Sequence, residues 1–303
     1  MQEIEKRLNK ISNIFNINKL IAQRPTLSTV QKYYSKNKLA YTIFHSKENF
    51  IHLGISNNDN FKKDDLIEPV KFINKYIKNS RNYSVLELAT GRGANSNYLA
   101  LNNKKTRFYG IDMSPGQLEY AYKVERRLKN YTVLKQDFHN LSNFKNNSLD
   151  VIFVIESLCY SNNKQKILNE TNRILKNNGK LIVIDGYLEN QLNAYTKVQQ
   201  QAFKLTEIGM AIKGSNTYKE FLQFAKNSNY KIEYEENISN KVLPSMRRLE
   251  KYSKLFFKFK YLAKILKVLL PTEIILNAIT AYLWVPLTEQ KVVGYYITVL
   301  KKI

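Results

Sequence analysis

The sequence predicts an α/β fold, a doubly wound seven-stranded sheet carrying a helical N-terminal segment and helical cap insertions. Three observations carry this reading. From position 83 onward short β-rich runs alternate with amphipathic stretches, the rhythm of a parallel sheet covered by helices. An apolar run at 85–88 enters a glycine-containing turn, and the runs that follow end in carboxylates. The length of 303 residues suits one large domain with extra helices better than two independent ones.

Residues 1–78 lack strand rhythm and are expected to form a helical lid segment packed over the sheet. Strands are expected at 84–88, 107–111, 131–135, 149–155 and 180–185, with crossover helices at 94–102, 115–128 and 164–175. Asn177, Asn178 and Gly179 tolerate left-handed geometry and should end the last of these helices. Two later strands, 230–236 and 292–300, are separated by roughly fifty helical residues rather than a tight turn, and an antiparallel edge pair is expected. The sheet domain is therefore drawn over 79–303, with cap insertions at about 187–215 and 240–289. Ligands of such sheets bind at the carboxyl ends of the strands.

A hydrophobic content of 44 % marks a globular chain. The balance of 48 Lys+Arg against 25 Asp+Glu, a formal charge of +23, would attract nucleic acid, anionic lipid or acidic substrates. Abundant Lys, Asn, Ile and Tyr supply a second explanation, a compositional bias that makes a surface basic without selecting a partner. The single cysteine, Cys159, excludes an internal disulfide framework, and its apolar setting suits a buried, inert thiol. The first twenty residues alternate charge with Ile, Leu and Phe at helical spacing, unlike a signal peptide, so a cytoplasmic location is expected. No run of apolar residues is long enough to span a bilayer.

The turn Ala89-Thr90-Gly91-Arg92-Gly93 follows Glu87 and opens a helix, so a ligand can lie against exposed N–H groups there. Alone, such a turn is equally a plain strand-to-helix connection. The second strand ends at Asp112, which suits bidentate binding of a ribose diol. After the third comes Asp137-Phe138, a carboxylate able to accept from an adenine amine beside a ring able to stack. A nicotinamide dinucleotide site shares the glycine turn and ribose carboxylate and is the rival reading; Asp137-Phe138 and the run IESLCY weigh against it.

The successive stretches VLELATGRGANSNYLA, YGIDMSPGQLEYA, QDF, DVIFVIESLCY and NETNRILKNNGKLIVIDGY resemble the motifs of class I methyltransferases dependent on S-adenosylmethionine (SAM), a Rossmann-like family. The resemblance covers about one hundred residues. It implies SAM as cofactor and S-adenosylhomocysteine as product. Glu87, Gly91 and Gly93 would contact the methionine moiety, Asp112 the ribose, Met113 an adenine face, and Asp137 with Phe138 the adenine edge. Gln117 and Ala89 join this cofactor set, Ala89 standing where the family usually has its first glycine. Glu156 matches the position facing the sulfonium and the acceptor.

Ahead of the core, Tyr33-Tyr34, Tyr41, His45 and the segment His52-Leu53-Gly54-Ile55 resemble the leading segment of sterol, tocopherol and related small-molecule methyltransferases. By that similarity Tyr34 reaches over the cofactor, while Tyr33 and His52 line the acceptor's approach. Tyr187 opens the helical stretch where the family keeps its acceptor lid. The implied acceptor is small and lipophilic: a sterol, isoprenoid, quinone, fatty acid or natural product. In a chain this rich in tyrosine, both Tyr33 and Tyr34 could instead simply pack a helix on the core.

Three side chains are candidates for removing an acceptor proton: Glu156, His139 and Tyr160. The sequence does not rank them, and His139 could equally cap the next turn. No metal site is expected, because none of the three histidines stands in an HxxxH or His/Cys cluster. The stretch 249–270, LEKYSKLFFKFKYLAKILKVLL, reads as one basic amphipathic helix with Leu255, Phe259, Leu262, Leu266 and Leu269 on one stripe. Such a helix suits peripheral contact with an anionic membrane, or burial of its stripe on the sheet. An RNA-directed or other polyanion-directed enzyme is a separate class, weakened by the absence of a (D/N)PP(Y/F) tetrapeptide, paired catalytic cysteines or an RNA-binding module. A non-catalytic SAM-binding protein is the third.

Overall fold

The computed structural model describes residues 2–23, 46–212 and 214–303. Its sheet runs in the order β3-β2-β1-β4-β5-β7-β6. The strands are β1 (Ser84–Leu88), β2 (Arg107–Asp112), β3 (Tyr131–Lys135), β4 (Leu149–Ile155), β5 (Leu175–Leu188), β6 (Tyr230–Asn237) and β7 (Val293–Lys302). The first five are parallel; β7 runs antiparallel to both β5 and β6. Strands β1 and β4 lie at the centre and are buried almost throughout, which explains their nearly unbroken apolar runs.

The helices in chain order are α1 (Gln2–Ser12), α2 (Ile17–Ile21), α3 (Glu68–Asn74), α4 (Ala94–Asn102), α5 (Pro115–Glu125), α6 (Lys164–Ile174), α7 (Lys197–Gly209), α8 (Tyr218–Asn227), α9 (Ser239–Lys258), α10 (Lys260–Leu269) and α11 (Thr272–Glu289). One apolar cluster joins Val70 of α3, Leu99 of α4, Leu118 of α5 and Val242 of α9 to one side of the sheet. A second cluster joins Ile167 and Leu168 of α6 and Phe221 of α8 to the strands. A third draws together α1, α7 and α11. No helix among the described residues is long and apolar enough to cross a membrane.

Two elements depart from the sequence reading. Strand β5 begins at Leu175, not 180: the chain leaves α6 directly into extended geometry, Leu175 pairs with Leu149, and the register then shifts before Lys180. Asn178 takes the left-handed conformation, at φ 62°, within that irregular stretch. The expected helix over 249–270 is broken, because Phe259 adopts φ −109° and ψ 84° between α9 and α10.

A buried ion pair fastens α1 to the other helices. Arg7, 5 % exposed, hydrogen-bonds the carboxylate of Glu250 and the carbonyl of Tyr282. Its Nε donates to Glu3 at 2.7 Å. Removing Arg7 leaves the buried Glu250 carboxylate with the exposed Lys254 ammonium, at 2.8 Å, as its charge partner and takes away the bond to the Tyr282 carbonyl. Arg7→Ala should therefore cost about 3 kcal/mol in equilibrium unfolding by denaturant, and Arg7→Lys should recover only part, since an ammonium lacks the planar fork that reaches three acceptors.

Candidate functional site

A cavity of about 500 Å³ opens at the carboxyl ends of β1, β2 and β4. Its floor is the glycine turn after β1, and its wall runs from Asp112 and Met113 past Asp137, Phe138 and His139 to Glu156 and Tyr160. Its size falls in the range of sites that enclose a cofactor or small substrate.

The turn is built on Glu87. That carboxylate is 2 % exposed and accepts from Thr90 Oγ1 at 2.7 Å, Ser96 Oγ at 2.6 Å and Asn95 Nδ2 at 2.9 Å. Burial raises its pKa to about 7 against the pull of those donors. Contact between Glu87 and a ligand is not what the structure shows: the side chain lies beneath the turn, not on the cavity wall, because loop and helix donors enclose it. Gly91 lines the cavity, whereas Gly93 sits at the N-cap of α4 with φ 78°, a conformation that costs glycine little. The Gly91 N–H donates to Asp112 Oδ2 at 2.9 Å and the Ser114 N–H to Asp112 Oδ1 at 2.7 Å. Burial raises Asp112's pKa.

Gln117 supplies a test of ligand fit. It lines the cavity at 2 % exposure, yet neither its Nε2 nor its Oε1 has a hydrogen-bond partner among the described residues. A buried amide left so costs about 1–3 kcal/mol per group, so a polar ligand belongs against it. Ribose hydroxyls and an adenine ring beside Asp112, Gln117 and Asp137 meet that requirement.

The candidate bases differ in their surroundings. Glu156, half-buried on the cavity wall, accepts from the Leu53 N–H at 2.6 Å and from the Tyr295 hydroxyl. Burial raises its pKa to about 7. The His139 ring is held at both nitrogens, Nδ1 at 2.7 Å from Asp137 Oδ1 and Nε2 at 2.8 Å from Ser161 Oγ. Both ring nitrogens are thus committed to contacts within the protein. Tyr160 lines the cavity. The Cys159 thiol is pushed well up by burial, away from nucleophilic use.

His52 lines the cavity but is 3 % exposed, with Nε2 at 3.0 Å from Asn95 Oδ1 and Nδ1 at 2.9 Å from the Leu53 carbonyl. It braces the Leu53 segment against α4. Tyr187 is not at the cavity. Its ring packs on Tyr218, Phe221 and Tyr296 under α8, which corrects its assignment as an acceptor contact. Tyr33, Tyr34, Tyr41 and His45 lie outside the described residues.

Sequence reasoning missed Asn49, Asn95, Ser114, Ala211 and Tyr295. Asn95 and Ser114 stand at the starts of α4 and α5, where a helix-terminus signal could have flagged them. Tyr295 has no local signal; the β5–β7 register places it opposite Gly186 and so next to Glu156. Ala89, Glu156 and Ala211 all adopt positive φ, at 52°, 49° and 58°, and all three line the cavity. Strain of this kind gathers at functional sites because surrounding structure must hold it.

A family model described as "Methyltransferase domain" matches residues 79–229. Residues 79–229 are a methyltransferase domain of the class I SAM-dependent family. Over 101 residues this chain is 34 % identical to a demethylmenaquinone methyltransferase of Thermotoga maritima, covering 33 % of this chain and 42 % of the relative. The chain spans about half the length of the curated relatives it matches. The cyclopropane synthase MmaA2 of Mycobacterium tuberculosis superposes with a TM-score of 0.73 at 13 % identity, covering 93 % of this chain and 100 % of the other. The [4+2]-cyclase SpnF superposes at 0.72 and 18 % identity, covering 92 % and 97 %. These two likenesses show the fold alone. The family match makes SAM the cofactor and removes the nicotinamide reading.

In the methyltransferase domain the raised carboxyl of Glu156 predicts a measurable pH dependence. A carboxyl whose folded pKa is raised stabilises the protein most below its unfolded pKa and loses that contribution as pH climbs through the folded value. Between about pH 4.5 and 7 the folded state of Glu156 therefore holds a proton that the unfolded state has lost. Glu156→Gln, which still accepts from Leu53 and Tyr295, should match the wild type at pH 4.5 and become more stable than it by up to about 3 kcal/mol at pH 8. Parallel stability curves for the two proteins across that window would refute the assigned environment.

Proposed function

We propose that the protein transfers the methyl group of SAM to a small, lipophilic acceptor, as a cytoplasmic enzyme in peripheral contact with lipid. The observation that carries this reading is one cavity joining the glycine turn and Asp112 at one end to Glu156 at the other. Bound there, SAM supplies a methyl carbon already activated by its sulfonium. The protein's share is alignment, exclusion of water and, where the acceptor atom bears a proton, its removal.

Asp112 holds its two oxygens in place with the Gly91 and Ser114 amides, leaving further lone pairs for a ribose diol. Asp137 uses Oδ1 for His139, and its second oxygen carries no hydrogen bond among the described residues, which suits an adenine amine. Met113 and Phe138 offer apolar faces to the base. Glu156, titrating near neutral pH at the cavity wall, is the group best matched to accept a proton. Tyr33 and Tyr34 belong to the same reading as contacts from the lid segment 1–78. The lipophilic acceptor is supported by the demethylmenaquinone methyltransferase relative and by the apolar Phe50, Ile51 and Ile155 in the wall.

Mass spectrometry of lipid extracts incubated with the protein and deuteriomethyl SAM should reveal a labelled product that names the acceptor. Binding of S-adenosylhomocysteine without any labelled product, across lipid and aqueous extracts alike, would make the protein a non-catalytic SAM binder. In calorimetry SAM should bind in preference to NAD, and Asp112→Ala should weaken it by about 1–3 kcal/mol. Glu156→Gln should lower kcat more than it changes SAM affinity, if the carboxylate serves the acceptor.

A further inference from the structure

The strongest feature outside the cavity is α10 and the end of α9, where the usual placement of apolar side chains is inverted. A helix on a globular protein buries its apolar stripe. In α10 the one buried residue is Ala263, while Tyr261, Leu262, Ile265, Val268 and Leu269 are 80, 51, 57, 84 and 71 % exposed. At 3.6 residues per turn these five fall within an arc of about 120° on the side away from Ala263. Leu255 and Phe259, 59 and 48 % exposed, extend the patch back onto α9. Four of the five stripe residues expected from the sequence, Leu255, Phe259, Leu262 and Leu269, belong to this outward set, and Tyr261, Ile265 and Val268 widen it.

Charge says what covers it. Residues 251–272 contain six lysines and no Asp or Glu. Lys251, Lys254, Lys258, Lys260, Lys264 and Lys267 are all exposed. On α10, Lys260 and Lys264 flank one edge of the apolar arc, the layout of a helix lying in a membrane interface with its lysines at headgroup level, while Lys267 on the same edge donates to the Ile14 carbonyl at 3.0 Å. A second copy of this chain would bring another +23 chain and an identical lysine row, so like charges oppose self-association there.

We infer that the exposed apolar arc of α10 with Leu255 and Phe259 docks the protein on an anionic lipid surface. The inference deepens the proposed contact with lipid by naming the surface that makes it. Helix α9 links that surface to the cavity wall. Ser245, in its first half, accepts from the Gly54 N–H at 3.1 Å, next to Leu53, which holds Glu156. Ten residues of helix, about 15 Å, separate Ser245 from Leu255. The lipid-facing element thus reaches Glu156 indirectly, through Gly54 and Leu53.

Cosedimentation of the full chain with phosphatidylcholine vesicles, with and without phosphatidylglycerol, tests the inference. Wild type should bind the anionic vesicles more tightly than neutral ones, and salt should weaken this binding. Lys258→Gln, Lys260→Gln and Lys264→Gln together should reduce it by about fivefold per lysine. Ile265→Gln with Val268→Gln should also reduce it, because insertion and not charge alone holds the helix. Wild type left in the supernatant at low salt overturns the inference, and so does binding indifferent to the Ile265 and Val268 changes. A dimer in sedimentation velocity that those two changes dissociate, without vesicle binding, overturns it in favour of a second copy. SAM calorimetry on each variant should match wild type, which shows that the variants fold and separates failure of the docking surface from failure of the methyltransferase reading.

Discussion

The site hangs on one buried carboxylate. Glu87, the last residue but one of β1, is withdrawn from water, and three donors from the turn and from α4 satisfy it. Those bonds leave the turn one arrangement, with the Gly91 amide aimed at Asp112. Thr90 also contacts the Tyr131 hydroxyl, tying β1 to β3 across Gly110, where a Cβ would come within 2.4 Å of that hydroxyl. Through Asn95 the same carboxylate reaches His52 and hence the segment that holds Glu156. One group thus couples the strand end, the cofactor turn and the candidate base.

The surroundings of Glu156 follow from the sheet. Parallel strands place their carboxyl ends on one edge, so Glu156 and Asp185 come close, and each is raised to about 7 chiefly by burial. The Leu158 and Cys159 amides and that of Gly186 hold Asp185, while Tyr295 and Leu53 hold Glu156. A low-dielectric cluster of this kind keeps a carboxyl near its titration point at neutral pH. The left-handed Glu156 backbone, bonded through its N–H to the Ile184 carbonyl, is what turns the side chain off β4 toward the cavity.

The fold by itself does not decide the reaction, since a cyclase and a cyclopropane synthase share it. The helices beside the sheet carry contacts of their own. The buried Arg7–Glu250 pair anchors α1 to α9, and α9 in turn carries both the serine bonded to Gly54 and the start of the exposed apolar patch.

Most of the sheet was legible in the sequence because strand signals are local. Alternation, apolar runs and the glycine turn are written within ten residues, and the strands from 84 to 155 lie where those signals place them. The acidic strand ends were legible for the same reason. Burial direction was not. Glu87 and Tyr187 carry the right chemistry at the right places in the chain, yet one is enclosed by Thr90 and Ser96 and the other by α8. Tyr295 reaches Glu156 only through a strand pairing more than one hundred positions away. The periodicity of 249–270 announced an amphipathic helix, but which face met solvent depended on the kink at Phe259 and on packing around Ala263. The sequence by itself determined the sheet, the cofactor turn and the acidic edge, since neighbours in the chain generate them. Only the tertiary structure decided which side chains face the cavity and which face water, because that depends on neighbours brought together by folding.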